Sequence, residues 1–240
     1  MSNSRHLSTA LKTAFTAALP IVLGYVVLGI PCGILGVQAG MSLVQIALMS
    51  LLFYSGAGQY LIPNLWLAGV PLGSIIASVS LVNMRQILYS ASLSRYAEGV
   101  GKRLSLLFAA TVTDESFGIN LARFDDPKAG WTVRQATAVN LFSLSSWTLS
   151  CLLGAWLGSL LQVPVALASF AMTSIFICLL FAQRFTRPTV VAALTAAVAV
   201  LLCKLAGLAG PAIIIGALTG IAAAMLVSLS QHQREQDGTP

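Results

Sequence analysis

Apolar residues run in stretches of near membrane-crossing length along most of this chain, at 15–38, 43–69, 71–93, 104–122, 131–161, 165–182, 189–205 and 208–229. A helix needs about 20 such residues to cross the hydrocarbon core of a bilayer. The pattern predicts an all-α integral membrane protein, a polytopic helix bundle of about seven spans within a range of six to eight. Polar residues fall between the stretches and in two tails, so the expected organisation is one transmembrane domain over 15–229 with tails at 1–14 and 230–240, both cytoplasmic and poorly ordered. The short alternating segments of an outer-membrane barrel are absent.

Two stretches do not read as ordinary spans. The second contains Ser55-Gly56-Ala57-Gly58-Gln59 and then Pro63-Asn64, a sequence that breaks helices. The fourth contains Thr111-Val112-Thr113-Asp114-Glu115-Ser116 and is barely long enough to cross. Broken helices at membrane depth are tolerated where protein covers them or where they line a cavity.

Charge placement bears on the same two stretches. Arg5 and Lys12 put the N-terminus in the cytoplasm by the positive-inside rule, and Arg184, Arg187 and Arg234 do the same for later connections. If the first three stretches all span, the loop with Arg95, Lys102 and Arg103 falls outside, against that rule. A re-entrant second stretch returns it to the cytoplasm, and a re-entrant fourth keeps Arg123, Lys128 and Arg134 inside. Seven or eight ordinary spans are the alternative.

Composition narrows the class: 57% of residues are hydrophobic and 8% are charged, where a soluble domain carries about a quarter. The net charge of +6 resides in short connections without a basic block, which suits orientation in a bilayer and not nucleic acid. Cys32, Cys151, Cys178 and Cys203 lie in different apolar stretches, and both histidines, His6 and His232, lie in the tails. No metal site, cofactor motif or buried imidazole is therefore expected. Nor is an enzyme, since there is no H-E-x-x-H and no histidine to activate a serine.

Three charges lie inside apolar stretches: Arg85, Asp114 and Glu115. Unpaired at a bilayer centre they would together cost about 8–10 kcal/mol, so they face a polar cavity or one another. Asp114 and Glu115 point about 100° apart on a helix and cannot serve one partner equally. Two such carboxylates resist double ionisation, which makes one a candidate for proton exchange; the other reading is one acid paired with Arg85 and one at the aqueous interface.

Arg85 lies with Asn83 and one turn before Tyr89, about 13 Å of helix from the loop at Ser94, so it either offers a fork to a carboxylate or snorkels to the surface. Asn140, Ser143, Ser146, Ser150 and Gly154 form a stripe beside Trp147 that is a packing seam or a binding surface. Gly29/Gly33, Gly154/Gly158 and Gly216/Gly220 are small-xxx-small pairs for internal packing or for a partner subunit.

These residues resemble the AzlC family, the BrnF or YgaZ type of large subunit of two-component bacterial branched-chain amino acid exporters. The likeness runs from about Leu19 to Val227 through Pro20-Ile21-Val22, Gly24-Tyr25, Ser55 to Gln59, Met84-Arg85-Gln86-Ile87-Leu88-Tyr89, Thr113-Asp114-Glu115-Ser116-Phe117 and Ser145-Ser146-Trp147. It departs at Gln86 and Gly58, where members often carry His and Ser.

The resemblance implies secondary export of isoleucine, leucine and valine, often methionine, across the bacterial plasma membrane with a small AzlD-type subunit. In the site expected for such a substrate, Arg85 meets the carboxylate and Asp114 or Glu115 meets the ammonium or a proton. Ser55, Gly56, Gly58, Gln59, Asn83 and Ser146 add polar groups, and Tyr54, Tyr89 and Trp147 shape an apolar pocket. A permease or channel for another small solute, and a subunit with no pathway of its own, are the rival readings.

Overall fold

The computed structural model describes residues 2–161, 163–182, 185–208 and 211–236, and among these there is helix and turn but no strand. The helices are α1 (Ser2–Gln38), α2 (Leu43–Leu52), α3 (Gly56–Leu67), α4 (Leu72–Leu93), α5 (Lys102–Ala110), α6 (Asp114–Phe124), α7 (Val133–Leu160), α8 (Val165–Ala182), α9 (Arg187–Leu205) and α10 (Ala212–Gln236). Four stretches of these, Ser8–Gln38, Val133–Leu160, Arg187–Leu205 and Ala212–Gln231, are long and apolar enough to cross a membrane. The N-terminal tail, expected to be poorly ordered, instead continues α1 from Ser2, and α10 runs on to Gln236. Arg184 and residues 237–240 lie outside the described residues.

The chain separates into two compact units, one of residues 1–64 and 82–173, the other of residues 65–81 and 174–240. In the second unit α9 and α10 pack together. A Cβ at Gly216 would stand 2.4 Å from the Val200 side chain, and one at Gly220 2.9 Å from the Ala192 carbonyl.

The first unit is organised on α1 and α7. Phe15 meets Phe142, Ser146 donates to the Val22 carbonyl, and Gly29, Gly33 and Gly158 lie against Ser150, Cys151 and Ile34, so the two helices run parallel. Their backbones touch: a Cβ at Gly33 would lie 1.9 Å from the Cys151 carbonyl oxygen, and one at Gly154 2.0 Å from that of Ile30. All three small-xxx-small pairs are thus packed against helices of the same chain. The seam reading of the polar stripe is the one the structure shows, with Asn140, Ser143, Ser150 and Gly154 buried along α7.

Both suspect stretches are broken. The first break is Phe53–Ser55, slightly earlier than Ser55–Gln59, where α3 has already begun; the second is Thr111–Thr113. Each new helix starts on a hydroxyl cap that satisfies an otherwise orphaned amide. The Gly58 amide donates to Ser55 Oγ at 3.1 Å, and Thr113 and Ser116 form a reciprocal capping box.

Contacts at the ends of the broken pairs show where each returns. Lys102 and Arg103, at the start of α5, line a cavity of about 740 Å³ with Thr132, Val133 and Arg134. Tyr96, just before α5, stacks on Phe124 at 4.4 Å and donates to Asp125, at the end of α6. The α5–α6 pair therefore enters and leaves at the end of the unit where α7 begins.

The α2–α3 pair belongs to the opposite end. There Gln38 donates to the Val163 carbonyl, and Ser169, one turn into α8, donates to Asn64 near the end of α3. Lys12, Arg95, Lys102, Arg103, Arg123, Lys128 and Arg134 gather at the α5–α6 end, while 36–46, 61–64 and 158–166 contain no charged residue.

Candidate functional site

The two pairs of half-helices bring their broken tips together in the middle of the first unit. α3 runs outward from its tip in one direction and α6 in the other, so both present N-terminal ends, with their positive partial charge, to the same region. α4 passes both tips. The Gln86 amide donates to the Tyr54 carbonyl at 3.0 Å, Ser55 Oγ donates to Asn83 Oδ1 at 2.6 Å, and Arg85 and Tyr89 reach α6.

The adjacent acids divide as their helical angle requires. Asp114 Oδ1 accepts from Arg85 Nη1 at 3.0 Å and from the Tyr89 hydroxyl at 2.7 Å, with the Tyr89 ring stacked on Phe117. The side chains of Arg85 and Asp114 are 25% and 20% exposed, so this ion pair is largely out of water. Arg85 Nε is buried without a hydrogen bond, and the guanidinium keeps donors in reserve. Glu115 turns to α1: Tyr25 lies 2.7 Å from its Oε2 and 3.0 Å from Thr113 Oγ1. Glu115 is exposed and, among the described residues, has no cation within salt-bridge distance.

A second polar cluster holds the α3 tip. Gln59 is 0% exposed. Its Oε1 accepts from Ser50 at 3.2 Å and from Trp147 Nε1 at 2.9 Å, while its Nε2 donates to the Phe53 carbonyl at 2.6 Å. The hydrogen-bonding capacity of this amide is met by protein. Trp147 packs edge-on against Tyr25 and Tyr60, and a Cβ at Gly56 would meet its ring at 3.3 Å. Gly58 faces Phe53, and a Cβ there would stand 2.7 Å from its ring, so a side chain would require the ring to shift. Ser146 lies apart from both clusters, in the α1–α7 seam.

Thus Arg85, Asp114, Tyr89 and Glu115 are brought together, Ser55 and Asn83 adjoin them through Tyr54 and Gln86, and Gln59, Gly56 and Trp147 form the supporting wall. Sequence reasoning missed Tyr25 and Thr113 as members of the site. The Thr113-x-x-Ser116 spacing is a helix-start signal that would have placed the second tip at Asp114. Also missed was a buried amide brace: Asn120 Nδ2 donates to Asn140 Oδ1 at 3.0 Å, Trp131 donates to Asn120, and Asn140 donates to Thr111. Among the described residues no cluster of ligands suits a metal ion.

A multi-helix bundle with capped half-helices and a buried ion pair occurs in many transporters, and the sequence match decides which family this is. Residues 20–161 match the family described as AzlC protein. This chain belongs to the AzlC family. An uncharacterised membrane protein of Helicobacter pylori is 33% identical over 75% of this chain and 78% of its own length. The Escherichia coli inner membrane protein YgaZ is 31% identical over 89% and 87%, and the Bacillus subtilis branched-chain amino acid transport protein AzlC is 28% identical over 76% and 71%. No solved structure matches the chain. The AzlC match covers α1 from Pro20 onward, both broken pairs, α4 and α7, so every residue of the site lies within it, and the chain is a helical membrane protein of a family with transport members.

Proposed function

We propose that this chain is the permease subunit of a secondary exporter of branched-chain and related neutral amino acids, acting with a small AzlD-type membrane subunit. The observation that carries this reading is the meeting of two oppositely directed half-helix tips at the Arg85–Asp114 pair and Glu115. Broken helices that expose polar ends at membrane depth form solute sites, and buried charge there is otherwise a net loss of stability. Apolar neighbours such as Tyr89, Phe117 and Tyr25 suit an uncharged side chain.

The name of the Bacillus subtilis relative supports the substrate class, and that of the Escherichia coli relative supports the bacterial inner membrane. The gathering of basic residues at the α5–α6 end supports a cytoplasmic position for that end, and for the N-terminus with it. No nucleotide-binding motif occurs in the sequence to power transport directly, which favours a secondary mechanism.

The test is efflux from preloaded proteoliposomes containing this chain with and without the product of a short adjacent reading frame. Isoleucine, leucine, valine and methionine should leave faster than from empty vesicles, and the small subunit should raise the rate. Equal rates from preloaded vesicles with and without the protein would remove the reading, and full flux without the small subunit would remove the partner.

A further inference from the structure

The hydroxyl of Tyr54, like Arg85 Nε, is a buried polar group at the tips without a hydrogen bond. Tyr54 directly precedes the Ser55 cap of α3, is 8% exposed, and its hydroxyl has no hydrogen-bond partner. It lies beside Tyr25, Thr113 and Glu115, at the start of α6. The phenol therefore reaches from one half-helix tip to the other, close to the Tyr25 and Thr113 hydroxyls but without a hydrogen bond of good geometry to either. A buried polar group left in this way destabilises a fold by about 1–3 kcal/mol unless another state of the molecule supplies its partner.

The neighbours define what that partner is. Tyr25 has one proton, which serves the Glu115 carboxylate, and the Thr113 hydroxyl lies within reach of the same oxygen. The Tyr54 O–H is left as a donor between two helix N-termini, an environment that favours an anion. Glu115, one residue into α6, is open on its other side and offers an acceptor for a cation. Donor and acceptor stand side by side.

We propose that Tyr54 and Glu115 form the head-group site for a zwitterion, the Tyr54 hydroxyl donating to an α-carboxylate and Glu115 receiving the α-ammonium. Arg85 is then a positioning residue, since its ion pair with Asp114 fixes the first turn of α6 and so the direction of Glu115. This deepens the amino acid reading above and rests on it for the choice of substrate side chain. It adds Tyr54 as a ligand-contacting residue and separates the two acids by role.

The experiment measures binding apart from flux, by ligand-induced thermal stabilisation of the purified protein. The probes are leucine, leucinamide, which lacks the carboxylate, and 4-methylpentanoate, which lacks the ammonium. Tyr54→Phe should fold with unchanged or slightly higher stability, because the lost hydroxyl had no partner. It should weaken leucine and 4-methylpentanoate about tenfold while leaving leucinamide unchanged.

Glu115→Gln should weaken leucine and leucinamide and spare 4-methylpentanoate. The assignment is overturned if Tyr54→Phe binds all three probes like the native chain, if it loses stability without losing affinity, or if the probe pattern is reversed. Failure of the native protein to bind leucine overturns it too. Binding that follows the expected pattern without any efflux would leave the head-group site standing and remove the exporter reading alone.

Discussion

Asp114 and Glu115 are neighbours in sequence and are held by different helices: Asp114 by Arg85 and Tyr89 of α4, Glu115 by Tyr25 of α1. The two acids at the α6 tip are therefore not interchangeable. Removing Arg85 leaves a largely buried carboxylate without its cation, and removing Asp114 leaves the guanidinium. Arg85→Ala and Asp114→Ala should each lower stability by about 1–3 kcal/mol, less than for a fully buried pair because both side chains retain some contact with water. Arg85→Gln combined with Asp114→Asn should recover much of that loss. Thermal denaturation of the four proteins measures the coupling, and additive losses would show that the pair contributes nothing of its own.

The parallel helices α1 and α7 make a steric prediction. Gly154→Ala places a methyl 2.0 Å from the Ile30 carbonyl oxygen, so it should separate the helices and abolish folded protein in the membrane. Gly24→Ala has nothing within 4 Å and should be accepted with little change. Detergent-resistant monomer recovered by size exclusion chromatography compares the two; equal yields would refute the close approach.

Lys102 reports the orientation of the α5–α6 pair. Both ends of that pair lie with the start of α7, so Lys102 and Lys128 should face the same compartment, which by the positive-inside rule should be the cytoplasm. In a cysteine-free background, Lys102→Cys and Lys128→Cys should resist an impermeant thiol reagent in intact cells and react in inverted vesicles. Labelling of one from outside and the other from inside would mean that the pair crosses the membrane.

Glu115 also carries a prediction about coupling. A carboxylate that receives a substrate ammonium cannot at the same time hold a proton, so occupation by one excludes the other. If a proton gradient drives export, Glu115→Gln should abolish the response of efflux to an imposed pH difference. Asp114, committed to Arg85, should act through stability instead. Retention of gradient-dependent efflux by both Glu115→Gln and Asp114→Asn would make the acids structural. The proton has effect only through unequal binding in the two access states, since equal binding shifts neither.

How far the sequence could be read depended on chemistry that declares itself locally. The breaks at Ser55 and Thr113 were legible because glycine pairs and runs of hydroxyls and acids are poor helix interior wherever they occur. The coupling of Arg85 with the acidic pair was legible because charges inside apolar stretches need partners. Which acid takes the arginine was not, since it depends on the angle at which α4 passes the α6 tip.

Tyr25 was hidden for a related reason: in α1 it is one more large residue in an apolar run, and only the register of α1 against α7 brings its hydroxyl to Glu115. The glycine pairs were seen as close-packing signals, but their partners are other glycine-bearing or alanine-bearing helices of the same chain, a matter of tertiary pairing. Gln59 looked like a free amide beside a break, and burial against Trp147 and Ser50 turned it into a tie between α3 and α7.

The amide brace between Asn120 and Asn140 has a mechanical consequence. With Trp131 bonded to one asparagine and Thr111 to the other, α6 and the break before it are fastened to α7 by groups that have no water to exchange with. An amide pair sealed in this way resists sliding, so α6 follows α7 as a rigid lever. The α6 tip is thereby tied to α7 independently of the contacts that Arg85 and Tyr89 of α4 make with Asp114.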